Sequence, residues 1–134
     1  MKGTCLCGAV SIAAPDNTGT SACHCTMCRK WGGGPAMAVH CGPDVDIENA
    51  DAVTNYPSSE WAERGFCSKC GTHLYYRLSG SNDYFLFAGF FGDDVPFEFK
   101  EQIFIDSKPG YYDFANDTDN MTGAEVFAKF APGG

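Results

Sequence analysis

Seven cysteines in three tight groups are the residues of this 134-residue chain best suited to chemistry. The groups are Cys5-Leu6-Cys7, Cys23-His24-Cys25-Thr26-Met27-Cys28 and Cys67-Ser68-Lys69-Cys70; an eighth cysteine, Cys41, stands alone. Zn²⁺ takes four ligands in a tetrahedron, with sulfur at about 2.3 Å, and closely spaced cysteines on one turn supply two or three of them. Disulfides, or a thioredoxin-like dithiol at Cys67 and Cys70, are the competing readings. Three groups in one short chain favour metal.

Seven ligands divide into four plus three. Cys7 is followed by Gly8 and Cys70 by Gly71, as expected of tight turns whose amides point at sulfur and whose glycines relieve strain. Cys28 instead precedes Arg29-Lys30-Trp31, which reads as the start of a helix. The two glycine-bearing turns therefore make the better closed site: Cys5, Cys7, Cys67 and Cys70, tying the N-terminus to mid-chain across a long loop. Cys23, Cys25 and Cys28 remain, and three protein ligands with a vacant fourth position are the mark of a catalytic zinc. Three thiolates make that metal a poor Lewis acid towards water, and better suited to holding an incoming thiolate as a nucleophile. Two other arrangements stay open: a second closed site completed by Cys41, His24, His40 or His73, and a ribbon joining Cys25 and Cys28 to Cys67 and Cys70.

The elements that must position these groups are short. Val10-Ser11-Ile12 alternates before a turn at 15–19, and Thr20 to His24 reads as a strand leading into the central group. Thr26 to Trp31 fits a helical turn stopped by Gly32-Gly33-Gly34-Pro35. Ala36 to Cys41 and Val45 to Glu48 read as strands divided by Gly42-Pro43. Leu74, Tyr76 and Leu78 share one strand face, with His73, Tyr75 and Arg77 on the other. Tyr84 to Phe91 is apolar nearly throughout, as for one strand covered on both faces. Phe97, Phe99, Ile103 and Ile105 keep period two, the clearest amphipathic strand. Residues 116–120 read as an acidic loop. Val126, Phe127 and Phe130 have helical spacing, and the last four residues are expected to fray. Many short strands, sixteen Gly and seven Pro predict a mainly β single domain over residues 1–134 with short helices.

Composition narrows the partners. Apolar residues reach 44% with eleven Phe, enough for a core that zinc organises but does not alone support. The net charge of −8 repels phosphate backbones and anionic lipid, so neither nucleic acid nor membrane is expected as a partner. Met1-Lys2-Gly3-Thr4-Cys5 opens with no apolar stretch behind it, so a reducing cytoplasmic setting is expected. Unpaired strand edges leave room for a homodimer. His24 is expected to face outward, His73 to pack at a strand start, and Cys41 to be a buried free thiol. Trp31 and Trp61, like Phe85, Phe87, Phe90 and Phe91, are expected in the core.

Three motifs in order resemble the glutathione-dependent formaldehyde-activating enzymes, also called S-(hydroxymethyl)glutathione synthases. They are Gly3-Thr4-Cys5-Leu6-Cys7-Gly8-Ala9-Val10, Cys23-His24-Cys25-Thr26-Met27-Cys28-Arg29-Lys30, and Arg64-Gly65-Phe66-Cys67-Ser68-Lys69-Cys70-Gly71-Thr72-His73-Leu74. Ile105-Asp106-Ser107-Lys108-Pro109-Gly110-Tyr111-Tyr112 is a weaker fourth. The resemblance implies several coiled antiparallel β-sheets, shared with small zinc-binding accessory proteins of vesicle traffic. It implies a structural zinc on Cys5, Cys7, Cys67 and Cys70, and a catalytic zinc on Cys23, Cys25 and Cys28. The implied activity is a carbon–sulfur lyase-type joining of glutathione, or a similar thiol, to formaldehyde, or a similar small aldehyde. Glutathione is anionic, and Arg29 and Lys30 beside the second group are the candidates to receive it, with Arg64, Lys69 and Arg77 behind them. A non-catalytic zinc module, a glutathione carrier or interaction domain, is the alternative.

Overall fold

The computed structural model describes residues 1–130, so the expected fraying of the last four residues lies outside the described residues. The described chain is mainly β, with eleven short strands and two short α-helices, and it divides into two compact units.

The first unit comprises Met1–Thr18 and Val39–Phe97. Strands β1 (Lys2–Thr4), β2 (Ser11–Ala13) and β5 (Asp46–Glu48) form a small antiparallel sheet in the order β1-β2-β5. Ile12 faces Gly3 on one side and Ile47 on the other, and is fully buried. Strands β6 (Val53–Tyr56), β7 (Ala62–Cys67), β8 (His73–Leu78) and β9 (Asp83–Phe87) make an antiparallel meander, the pattern that short turns permit. Val10, Ile12, Val39, Leu74 and Leu86 have no exposed surface and form the centre of the core. Cys41 is buried there as expected, its thiol directed at the Val39 carbonyl 3.4 Å away.

Two expectations for this unit are corrected. The β8 faces do not alternate cleanly: Leu74 and Tyr75 are both buried. Tyr75 lies directly opposite Gly65, beside a register shift between Gly65 and Phe66, and its ring occupies the space a Cβ at Gly65 would need. The apolar run 84–91 is not one strand, because β9 ends at Phe87 and Ala88–Phe91 coils into a 3-10 turn. Phe90 and Phe91 are buried by that turn, whereas Phe85 and Phe87 are only half-buried. Trp61 is 45% exposed and not a core residue.

The second unit comprises Gly19–Ala38 and the chain from Glu98 on. It holds β3 (Gly19–Cys23), α1 (Thr26–Gly32), the first half of β4 (Ala36–Gly42), β10 (Glu98–Ile103), β11 (Asp119–Met121) and α2 (Gly123–Phe130). The order is β11-β10-β3-β4, with β10 parallel to both neighbours and β3 antiparallel to β4. Helix α2 begins with a reciprocal cap: Glu125 N–H donates to Thr122 Oγ1 at 3.2 Å, and Thr122 N–H to Glu125 Oε1 at 3.0 Å.

The amphipathic strand expected at Phe97, Phe99, Ile103 and Ile105 is not what forms. A bulge between Phe99 and Glu101 shifts the β3–β10 register, and one extra residue sends later side chains to the opposite face. The buried residue of β10 is consequently Gln102, at 6% exposure. The expected loop at 116–120 is a loop only in its first part, since Asp119 already pairs with Glu101. Trp31, at the end of α1, is half-buried.

Candidate metal centres

The first unit brings together Cys5, Cys7, Cys67 and Cys70, whose sulfurs all lie within 4.8 Å of one another. Cys5 and Cys67 are buried, Cys70 is half-buried and Cys7 is exposed. Each pair sits on a turn closed by the glycine that follows it, over three residues in the first and four in the second. Gly8 N–H donates to Cys5 O at 3.0 Å and Gly71 N–H to Cys67 O at 2.8 Å. Both glycines lie in the left-handed region, at φ 82° and 78°, which side chains disfavour. Val10 N–H points at Cys5 Sγ at 3.3 Å. Thr72 couples the turns: its hydroxyl lies 3.1 Å from Cys70 Sγ and accepts from Leu6 N–H at 3.2 Å.

These sulfurs fit a tetrahedral ion. Arms of about 2.3 Å give edges of about 3.8 Å. Cys5 to Cys7 measures 3.6 Å and Cys7 to Cys67 3.7 Å. No disulfide joins any of the eight cysteines. The acidities show charge crowded into one place. The Thr72 hydroxyl and N–H, with other amide and thiol contacts, hold Cys70 down at about 5. Cys7 is drawn down by Ala9 N–H, yet partial burial and the sulfurs of Cys70, Cys5 and Cys67 drive it up to about 11. Burial raises Cys5, but the bonds from Val10 N–H, Cys7 and Cys67 outweigh it and leave the thiol lowered. With all four ionised, sulfurs at this spacing would need a cation among them, and the group could hold a metal ion.

In the second unit Cys23, Cys25 and Cys28 converge, again within 4.8 Å, and among the described residues no fourth His, Cys, Asp or Glu atom joins them. Cys23 ends β3; Cys25 caps α1, its sulfur accepting from Cys28 N–H at 3.3 Å. Helix α1 closes at Gly33, whose N–H donates to Arg29 O at 2.8 Å. The sulfurs of Cys25 and Cys28, then burial, push the Cys23 thiol far above its ordinary range. Three sulfurs can hold an ion and leave a coordination position over. The ribbon alternative is not what forms, because Cys67 and Cys70 join Cys5 and Cys7.

His24 corrects an expectation. It does not face outward; it is fully buried, continuing the inward alternation of Thr20 and Ala22. Nδ1 lies 2.7 Å from Tyr112 Oη and Nε2 2.8 Å from Gln102 Oε1. Its N–H donates to Ile103 O at 3.1 Å, and its carbonyl accepts from Arg29 Nε at 2.9 Å. Burial, with the positive charges of Lys108 and Arg29, lowers the imidazole pKa against the opposing Gln102 bond. His73 opens β8, half-buried.

The cations expected to receive an anion are mostly engaged elsewhere. Arg29 also donates to Ser107 O at 3.3 Å. Arg64 is buried, bonded to Ser58 Oγ and stacked over Tyr76. Arg77 is bridged to Glu63 and Asn82. Lys30 and Lys69 are exposed. Sequence reasoning missed Gln102, Thr118 and Tyr112; only Tyr112 had a signal, inside the weaker fourth motif.

Residues 1–107 match the family model described as glutathione-dependent formaldehyde-activating enzyme. The chain belongs to that family. An uncharacterised lyase of Schizosaccharomyces pombe is 41% identical over 127 residues, 93% of each chain. A Halomonas elongata protein bearing the family's name is 31% identical over 85 residues, 56% of this chain and 54% of that one. A crystal structure of a Rhodobacter sphaeroides protein superposes with a TM-score of 0.60 at 28% identity, covering 72% of this chain and 92% of that chain. Family and relatives together mark the chain as a carbon–sulfur lyase-like enzyme. No helix among the described residues is long and apolar enough to cross a membrane.

Proposed function

We propose that the chain joins glutathione, or a similar thiol, to formaldehyde, or a similar small aldehyde, giving S-hydroxymethylglutathione. Residues 1–134 serve as one functional domain. The observation that carries this reading is the asymmetry of the two cysteine groups, four sulfurs against three. In this reading Cys5, Cys7, Cys67 and Cys70 hold a structural zinc, and Cys23, Cys25 and Cys28 hold a second with a position for the incoming thiol. Zinc bound there would lower the thiol's pKa, so that a thiolate is present at neutral pH. The chemistry balances without a redox partner: a sulfur–carbon bond forms, the carbonyl π bond opens, and the thiol's proton ends on the new hydroxyl oxygen. The protein's part is to hold both reactants in one place, with the three thiolates fixed on the β3–α1 junction. Lys30 is exposed on α1 two residues beyond Cys28, and its positive charge would favour an anionic thiol in that neighbourhood. Eight unlinked thiols suit a reducing setting, hence the cytoplasm.

The second reading is a glutathione carrier or interaction domain without turnover; because Arg29, Arg64 and Arg77 all make internal contacts, the observation favours its interaction-domain form over either glutathione-binding one. The test is formaldehyde consumption with glutathione measured against the spontaneous rate. Turnover above that rate, lost in Cys25→Ser, supports the enzyme; glutathione binding at the buffer rate supports the carrier.

A further inference from the structure

We infer that Gln102 and Thr118 are positioning residues for the Cys23, Cys25 and Cys28 centre, holding His24 in one tautomer and one orientation and, through it, the two ligands that flank it. The inference rests on the second metal site proposed above.

The direction of the hydrogen bonds can be read from the far end of the chain they form. Thr118 Oγ1 donates to Asn120 Oδ1 at 2.8 Å, so its oxygen is left to accept from Gln102 Nε2 at 2.9 Å. With the Gln102 nitrogen facing Thr118, its oxygen faces His24 Nε2 at 2.8 Å. An amide oxygen can only accept, so Nε2 carries the hydrogen. In the neutral ring Nδ1 is then an acceptor, matched by the Tyr112 hydroxyl at 2.7 Å. The tautomer of His24 is thus set by a threonine two side chains away.

The network also fixes the ring in space. Tyr112 stacks on the imidazole at 5.5 Å and 26°, and Phe114 packs at 6.0 Å. With both backbone groups bonded as well, every polar atom of His24 has a partner. Burying an imidazole and an amide is unfavourable unless each is satisfied, and satisfied networks of this kind select a single geometry. That geometry matters because His24 is the only residue between Cys23, the last of β3, and Cys25, the cap of α1. A turn about its backbone moves both sulfurs. The outer end of the network, Thr118 with Asn120, lines an open polar cleft of about 240 Å³, so Thr118, half-buried there, can be altered with little disturbance to the core.

The test is Co²⁺ binding by the full chain, followed by its visible absorption under chelator competition, in Gln102→Leu, Thr118→Val and Thr118→Ser. Groups that orient metal ligands typically contribute 10- to 100-fold in affinity. Gln102→Leu and Thr118→Val are expected to hold the second ion about 10- to 100-fold more weakly with a changed ligand-field band. The first ion should be unaffected, and Thr118→Ser should restore the wild-type spectrum. The ¹⁵N resonances of His24 should report hydrogen on Nε2 in wild type and lose that single tautomer in Gln102→Leu. Should Gln102→Leu not fold, Thr118→Val and its serine rescue decide alone. Two ions bound as in wild type by both variants overturn the inference, as does a serine variant as weak as the valine one. A wild-type chain that takes a single Co²⁺ overturns the two-centre reading as well.

Discussion

Replacing Gly71 by Ala isolates what the left-handed turn contributes to the four-cysteine centre. Gly71 sits at φ 78°, and a Cβ built on it meets no atom within 4 Å. Steric collision is therefore absent, and the whole effect must come from the backbone. Holding a non-glycine residue in that region costs roughly 1–2 kcal/mol. At about 1.4 kcal/mol per tenfold, that is a loss of roughly 5- to 30-fold in affinity for the first ion. Gly8, at φ 82° with equal open space, should behave alike. The two turns would share one ion and are joined through Thr72, so the loss in the double variant should depart from the product of the two single factors. Asparagine tolerates this conformation better than alanine, and valine worse, so the order Asn, Ala, Val is expected in affinity. Chelator competition with a chromogenic zinc indicator reads the constants, and the second ion serves as an internal control. Wild-type affinity in Gly71→Ala would refute the account, as would Asn faring no better than Val. Either result would mean that sulfur spacing, not turn strain, shapes this site.

Other consequences concern the meander of the first unit and its titrating groups. Gly65→Ala should destabilise by about 1–3 kcal/mol in chemical unfolding, because the new Cβ would lie 2.3 Å from the ring of buried Tyr75 with no room to yield. Burial raises the Tyr75 hydroxyl to about 12 and also raises that of Tyr112, so in an alkaline titration followed by phenolate absorbance these two of the six tyrosines should ionise late, and Tyr75→Phe should remove the step near 12. Since the neutral phenol is the form favoured in the fold, this contribution is present below pH 10 and is lost as pH rises towards 12. His73 has the opposite sign: burial, with Arg64 nearby, lowers its pKa beneath 6.5, so its contribution is complete above that pH and falls away on acidification. His73→Gln should flatten that part of the acid limb, and an unchanged limb would show that the imidazole is not involved.

What the sequence made legible was whatever is local. Each half of the first centre is one short turn, and the glycine after Cys7 and after Cys70 announces its backbone as clearly as the cysteines announce the metal. The strand into Cys23 and the helix after Cys25 were readable for the same reason. The errors arose wherever a register decided the outcome. Phe97, Phe99, Ile103 and Ile105 promise one amphipathic strand, but the bulge before Glu101 turns Gln102 inward, and no pattern within β10 signals a bulge that its pairing with β3 creates. His24 was misplaced although its signal was present: Thr20 and Ala22 already pointed inward, and period two carries that face on to residue 24. Arg64 and Arg77 read as candidates to receive an anion because the partners that engage them, Tyr76 and Glu63, come from neighbouring strands of the meander.

The two centres solve the same positioning problem by different means, and the difference follows from ligand number. Four sulfurs on two left-handed turns define a tetrahedron almost by themselves, with amides and Thr72 finishing the contacts to sulfur. Three sulfurs leave one direction undefined, and the third ligand, Cys28, lies in a helix rather than on a second glycine turn. Something outside the ligands must then set the angle between β3 and α1. The side chain best placed to do so is His24, between Cys23 and Cys25, and its ring is bonded at both nitrogens. A buried imidazole and amide with a half-buried phenol, in place of apolar residues, would be a poor way to stabilise a core, and a good way to hold three converging cysteines in one shape.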